Sequence, residues 1–491
     1  MRSCRARGPW RDAMLKRILG LALALMFLLY PPRVQARPTT LHAQVLVFVP
    51  AYEGSKLYDP TLVAKGEEAP CVWGSIDAIR RSDLYLSLRM PNPLEARPML
   101  TAGPLDVYGH FISSMTETQD DLPDFQPYTL GADFFVFSYD WRQELATVTA
   151  PLLGKALEEY ARIHEQKTGI PAQETRFIII GHSMGGLVAR TFISENPPWA
   201  DRIAGLYLVG APNLGSTKAI RTLVVGPGGL KENAMSFPES LLNFLPNNVD
   251  IPTTKLVAIS RPSLYELLPF NDPRWECVDA SGHRTRIGAQ DMLSLGPWEP
   301  YWPGAELERK VFLDDWLKKR QAEGRKEINP PDWEFCQDSD HRALQKILTQ
   351  VREWRLRMGS LSYTDTLLTR PGEPSRLKVV LGTGLKTPTG IITEGSHDSC
   401  TARYTYAPDN DGDETVTGVS ALDDLHATAD NVKLLTRVTH GKLVSDRQFL
   451  DYIHEKLARE EVVPGIGQRA ASTQASLPAP PIHLTPGGTV P

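Results

Sequence analysis

Residues 175–190 read Thr-Arg-Phe-Ile-Ile-Ile-Gly-His-Ser-Met-Gly-Gly-Leu-Val-Ala-Arg. Four apolar residues, Phe177 to Ile180, run straight into Gly181-x-Ser183-x-Gly185, and an apolar helical pattern follows from Met184 to Glu195. A short, wholly apolar run reads as a strand buried on both faces. A G-x-S-x-G between such a strand and a helix is a nucleophile elbow, and its spelling follows from its chemistry. A serine displayed on so sharp a turn needs neighbours without side chains, because a Cβ at position 181 or 185 would collide with the adjoining strand and helix. The helix starting at Met184 points unpaired N–H groups and its positive dipole end at the reacting centre, which makes the Met184 N–H a natural oxyanion donor. His182 lies inside the motif, but its side chain leaves the turn in another direction and reads as structural.

Working outward, apolar runs rich in β-branched and aromatic residues recur at 44–49, 134–137, 206–209, 255–259 and 378–381, with helical patterns such as 150–167 between them. Short buried strands alternating with amphipathic helices predict an α/β fold, a mostly parallel sheet covered on both faces. The rhythm breaks over residues 214–345, where Pro, Gly and Trp become frequent; residues 275–354 hold six of the ten tryptophans. This stretch reads as a cap inserted into the core, which divides into a first part, 37–213, carrying a lid-like insert at about 64–105, and a second part, 346–466. Residues 467–491, rich in Ala, Pro, Ser and Thr, read as a disordered tail, and the mixed charges of 308–327 as a solvated helix face.

The chain has 491 residues, 42% of them hydrophobic, enough to bury a sizeable core, and its net charge of −5 argues against nucleic acid as a partner. The charge is uneven. Residues 1–36 hold seven Lys or Arg and one acid, leaving 46 basic against 57 acidic residues, or −11, for the rest. A basic head, an apolar run at 18–29 and the small residues Val34 and Ala36 ahead of Arg37 predict a cleaved secretory signal and a secreted or periplasmic protein. The alternative is an uncleaved anchor. Cys71, Cys277, Cys336 and Cys400 then allow three pairings or remain thiols. No Cys/His cluster suggests a structural metal, and no cofactor is expected.

A serine alcohol needs a base, and the base an acid that orients it, here in the chain order Ser, acid, His. His440 lies on a loop ahead of the final helical pattern, 445–457, where this fold delivers its base. His454 falls within that helix and reads as a surface residue. Residues 409–416, Asp-Asn-Asp-Gly-Asp-Glu-Thr-Val, form the densest acidic loop downstream. A calcium loop would want glycine where Glu414 stands, so no metal is assigned. Asp413 is the candidate acid and Asp411 the reserve.

These segments together resemble the lecithin:cholesterol acyltransferase-like family of α/β-hydrolases, which includes lysosomal phospholipase A2 and phospholipid:diacylglycerol acyltransferases. Val49-Pro50-Ala51-Tyr52-Glu53-Gly54-Ser55-Lys56-Leu57 is similar to the family's oxyanion strand and loop, with Ala51 in place of the usual glycine. Tyr139-Asp140-Trp141-Arg142, Gly210-Ala211-Pro212-Asn213, Ser263-Leu264-Tyr265-Glu266-Leu267-Leu268-Pro269, Gly382-Thr383-Gly384, Gly412-Asp413-Glu414-Thr415-Val416 and Val438-Thr439-His440 resemble further family segments, in order. The resemblance implies that Ser183 attacks an ester carbonyl, His440 relays the proton, Asp413 orients His440, and the backbone N–H groups of Tyr52 and Met184 hold the oxyanion. Asp140 and Arg142 read as a pair holding a loop, with Trp141 and Trp73 as candidate substrate-binding residues. It further implies a lipid ester donor at a membrane or lipid surface, an acyl-serine intermediate, and an alcohol or water as acceptor. A carboxylesterase or triacylglycerol lipase would use the same three residues, and an inactive lipid-binding protein is the remaining class. Oligomeric state stays open.

Overall fold

The computed structural model describes residues 40–60, 68–75, 94–119, 121–225, 258–259, 261–270, 274–279, 281–289, 291–301, 342–395, 400–406 and 411–464. Expectations for the N-terminal 36 residues, the tail, the 308–327 stretch, Trp302, Trp316, Trp333 and Cys336 fall outside these residues.

Six strands make the central sheet: β1 Gln44–Val49, β2 Phe134–Val136, β3 Arg176–His182, β4 Ile203–Val209, β5 Leu377–Thr383 and β6 Val432–Thr436. Their spatial order is β2-β1-β3-β4-β5-β6, every pairing parallel. Parallel strands need crossovers, and the helices that make them cover both faces. The pleat divides the apolar residues accordingly: Val45, Val47 and Val49 with Phe177 and Ile179 face one core, and Leu46 and Phe48 with Ile178 and Ile180 face the other. Each of these side chains, fully buried, contributes about 1.5–3 kcal/mol.

Seven helices matter for the site: α1 Gly109–Thr116, α2 Ala150–Thr168, α3 Met184–Glu195, α4 Thr217–Val225, α5 Arg342–Met358, α6 Leu361–Leu368 and α7 Arg447–Leu457. Helices α2 and α3 cover the first face, α1 and α7 the second. Every residue of α3 from Met184 to Ser194 is buried. A helix buried on every side, Arg190 and Thr191 included, needs both cover and polar partners, and α5 and α6 supply the outer layer. Trp354 Nε1 donates to Thr191 Oγ1 at 3.0 Å, and buried Arg190 donates to Thr364, Asn213 and the Gly359 carbonyl.

The stretch in which the strand rhythm fades does contain strands. Arg274–Val278 pairs antiparallel with Arg284–Ile287 and parallel with Gly390–Glu394, which in turn pairs with Thr401–Thr405. This four-stranded sheet joins the insertion to the C-terminal half. Only Trp275 of its first strand is fully buried, so a one-sided sheet with charged outward residues left little apolar signal. Residues 258–259, expected in a strand, are helical and lead toward the short helix Pro262–Glu266. In the lid-like insert, Cys71–Trp73 and Glu95–Pro98 flank Ser55–Tyr58 in a small antiparallel sheet directly after the loop that leaves β1. Among the described residues no helix is long and apolar enough to cross a membrane.

Candidate active site

After β1 the chain runs outward to the edge strand β2 and then returns to the opposite side of β1 for β3. The loops leaving adjacent β1 and β3 therefore diverge, opening a crevice at the carboxyl ends of the strands. Ser183 sits there, with φ 53° and ψ −123°. A non-glycine residue in that region stores roughly 1–3 kcal/mol of strain. Backbone bonds hold it: Ser183 N donates to the Val209 carbonyl at 2.8 Å, and Gly186 N to the Ser183 carbonyl at 2.9 Å. A Cβ on Gly185 would stand 2.2 Å from the Val49 carbonyl oxygen, and one on Gly181 2.6 Å from Gly186 Cα. The two glycines answer to backbone approach, as the spelling of the motif requires.

His440 Nε2 lies 2.8 Å from Ser183 Oγ, and His440 Nδ1 lies 2.7 Å from Asp413 Oδ2. The other carboxylate oxygen of Asp413 accepts the N–H groups of Thr415 at 3.0 Å and Val416 at 2.7 Å, while its carbonyl accepts His440 N at 2.9 Å. All three residues are buried. His440 opens a single 3-10 turn, His440–Lys442, ahead of α7, whose N-cap Asp446 accepts from Gln448 N at 2.9 Å. Asp411 is directed elsewhere; its carboxylate accepts Gly384 N at 3.2 Å and ties down the end of β5. Near the acid, Lys218 Nζ donates to Thr415 Oγ1 at 3.1 Å. Burial lowers its pKa, against the attraction of Asp413 and Glu414.

On the opposite side, Ala51 and Tyr52 are buried and Gly54 N closes a turn onto the Ala51 carbonyl at 2.9 Å. The positive φ of this loop falls on Glu53, at 60°, and not on Ala51, so the methyl group of Ala51 meets no backbone strain. Among the described residues, the N–H groups of Tyr52 and Met184 have no hydrogen-bond partner. One belongs to the loop that leaves β1, the other to the first turn of α3, directly after Ser183.

Trp141 is fully buried beneath this loop, edge-on to Tyr52 at 4.7 Å and to Trp73 at 5.3 Å, with its Nε1 donating to the Ser55 carbonyl at 3.3 Å. In this conformation it supports the loop and presents no open face, whereas Trp73 is half-buried. Arg261 closes the cluster: its guanidinium lies 4.7 Å from the Trp141 ring centroid and donates to the Tyr52 hydroxyl at 2.7 Å. Burial pushes the Glu53 carboxyl up to about 7, against the pull of Arg261. Asp140 and Arg142 form a bidentate pair at 2.8 and 2.6 Å, and Asp140 also accepts Leu94 N at 2.9 Å, tying the lid-like insert to the core.

Two histidines show how local pattern and tertiary packing differ. His182 is buried, bonded to Tyr108 and to the His440 carbonyl. His454 is a correction: it is 2% exposed, bonds the Ser114 carbonyl at 3.0 Å and packs 4.4 Å from the Phe125 ring. It lies on the inward face of α7 with Leu450 and Ile453, where a polar residue reads as solvent-facing until its partner on α1 is known. Sequence reading also passed over Tyr108 and Arg261, which carry no motif and come from far along the chain.

The segment bearing β2, β3 and the elbow decides the family comparison. Residues 126–240 match the model of the lecithin:cholesterol acyltransferase family. Over that segment the chain resembles this family. No curated protein matches it in sequence. In structure it is similar to a chain of the Tle4–Tli4 complex, with a TM-score of 0.52 at 14% identity, over 85% of this chain and 98% of that one. At that identity the likeness concerns architecture, and the six-stranded parallel sheet with its covering helices is an α/β-hydrolase fold. The family match supports the coarse chemistry of an acyl ester hydrolase or transferase.

Proposed function

We propose that this lecithin:cholesterol acyltransferase-like protein is an exported serine O-acyltransferase or phospholipase that takes an acyl group from a lipid ester at a membrane or lipid surface. The observation that carries the reading is one hydrogen-bonded run, Ser183–His440–Asp413, set beside two N–H groups without partners, those of Tyr52 and Met184. Ser183 Oγ attacks the carbonyl carbon while His440 Nε2 takes its proton, and Asp413 orients the ring and steadies its charge. The carbonyl oxygen becomes an oxyanion between the two N–H groups; one such donor is worth about 3–4 kcal/mol of transition-state stabilisation. As the C–O bond to the leaving alcohol breaks, His440 returns the proton to that oxygen, leaving an acyl-serine. Water or a second alcohol then loses its proton to His440, attacks the acyl carbon, and Ser183 recovers its proton.

The aromatic and apolar insertion suits an apolar acyl chain. With −11 beyond residue 36, contact with a lipid surface rests on apolar side chains. Incubating the protein with phospholipid, with and without an alcohol acceptor, and identifying the products by mass spectrometry tests the proposal. A new ester with acceptor present establishes transfer, and fatty acid whatever acceptor is supplied leaves a phospholipase. Failure of a fluorophosphonate to label Ser183 in folded protein overturns the enzyme reading.

A further inference from the structure

We propose that Tyr108 and His182 are positioning residues that set the oxyanion loop, a role that rests on the acyl-transfer reading above. The donors and acceptors leave one arrangement. His182 Nε2 lies 3.0 Å from the His440 carbonyl oxygen, which can only accept, so Nε2 carries the ring proton. Burial, reinforced by His440, holds the pKa of His182 down to about 3, so the other ring nitrogen is bare. Nδ1 therefore accepts the Tyr108 hydroxyl at 2.9 Å, and the Tyr108 oxygen, its proton so used, accepts Ala51 N–H at 3.1 Å. The Pro50 carbonyl of the same peptide unit accepts the Tyr139 hydroxyl at 2.8 Å. One peptide plane is thus gripped at both ends, by Tyr108 on one face of the sheet and Tyr139 on the other.

The next peptide unit inherits that orientation. Its carbonyl, Ala51 O, accepts Gly54 N, and in a trans peptide the N–H points the opposite way, so the Tyr52 N–H is aimed away from the turn. At its other end the relay holds the backbone of His440, so the base and the oxyanion loop are tied to each other across the nucleophile. Neither Tyr108 nor His182 touches the reacting atoms; both act through Ala51 and His440. Removing the Tyr108 hydroxyl leaves the Ala51 N–H buried without a partner and free to tilt the loop. Misplacement of about 1 Å at such a site costs on the order of a hundredfold in rate.

The test compares native protein with Tyr108→Phe, His182→Asn and His182→Leu, using kcat and KM on a soluble ester, active sites counted with a fluorophosphonate, and affinity for a trifluoromethyl ketone whose hemiketal presents an oxyanion. Tyr108→Phe is expected to lose about 10- to 100-fold in kcat per titrated site with KM little changed, and ketone affinity falls in parallel. His182→Asn, which keeps an acceptor facing Tyr108, recovers most of the rate, and His182→Leu does not. Unchanged kcat per titrated site and unchanged ketone affinity in Tyr108→Phe overturn the inference while leaving the acyl-transfer reading intact. Native protein that neither turns over ester nor labels at Ser183 removes that reading and the positioning role with it. Independently of any variant, 15N-histidine NMR of native protein should report His182 as the neutral Nε2–H tautomer at neutral pH; an Nδ1–H tautomer overturns the relay.

Discussion

The two walls of the site are built on opposite principles. The elbow wall is local: a strand, a strained serine and a helix within residues 176–195, with glycines where backbones meet. The facing wall, residues 50–54, which we propose holds the oxyanion, is held by distant groups, among them the hydroxyls of Tyr108 and Tyr139 and the guanidinium of Arg261. A wall specified by covalent neighbours tolerates almost no change of shape, while one specified by hydrogen bonds from three other segments loses its aim by degrees.

The largest effect expected is Ser183→Ala, which should remove ester turnover by at least about 10⁴-fold with the melting temperature kept or raised, since the strained side chain loses little when truncated. Asp413→Asn should follow at about 10³- to 10⁴-fold in kcat, read by steady-state kinetics, because an amide cannot orient the base in the same tautomer. Gly185→Ala breaks the comparison on its rigid side. With backbone carbonyl atoms 2.2 and 2.5 Å from the new methyl, the elbow has to open, and soluble folded yield should collapse in parallel expression trials. Ala51→Gly tests the adaptable side: with no positive φ to relieve, it should cost only about 0.5–1 kcal/mol in chemical denaturation and leave kcat within a few-fold.

The smallest effect concerns pH. The folded chain keeps a proton on Glu53 up to about 7, whereas an unfolded glutamate releases it near 4.5. Between those values the native state binds more protons than the unfolded state, so this group makes stability fall as pH rises. Glu53→Gln should flatten that part of the stability curve in melts taken across the window; an unchanged slope would assign the titration elsewhere.

The same contrast explains what was readable in the sequence. The central sheet shows because parallel strands are apolar on both faces, as in Phe177 to Ile180, and Ser183 shows because its turn has a spelling. His440 and Asp413 could be placed by chain order and loop chemistry, and the structure sets His440 against Ser183 and Asp413 against His440, while Asp411 bonds at the end of β5. Tyr108 was not readable: its meaning lies in a contact with Ala51, 57 residues upstream, and nothing in its own neighbourhood announces it. His454 was misread for the same reason, since helical position alone cannot reveal the Ser114 carbonyl waiting on α1.

The four-stranded sheet that joins the insertion to the C-terminal half also sets an order of events. Gly390–Glu394 needs Arg274–Val278 beside it, and Thr401–Thr405 pairs on the other side just before the chain delivers Asp413. Closing so distant a parallel pairing carries a loop-closure cost of the kind that β1 and β3 meet in the central sheet. Asp413 therefore meets His440 only when long-range pairings on both sides of it have closed, and during refolding the return of turnover should lag the burial of the central sheet.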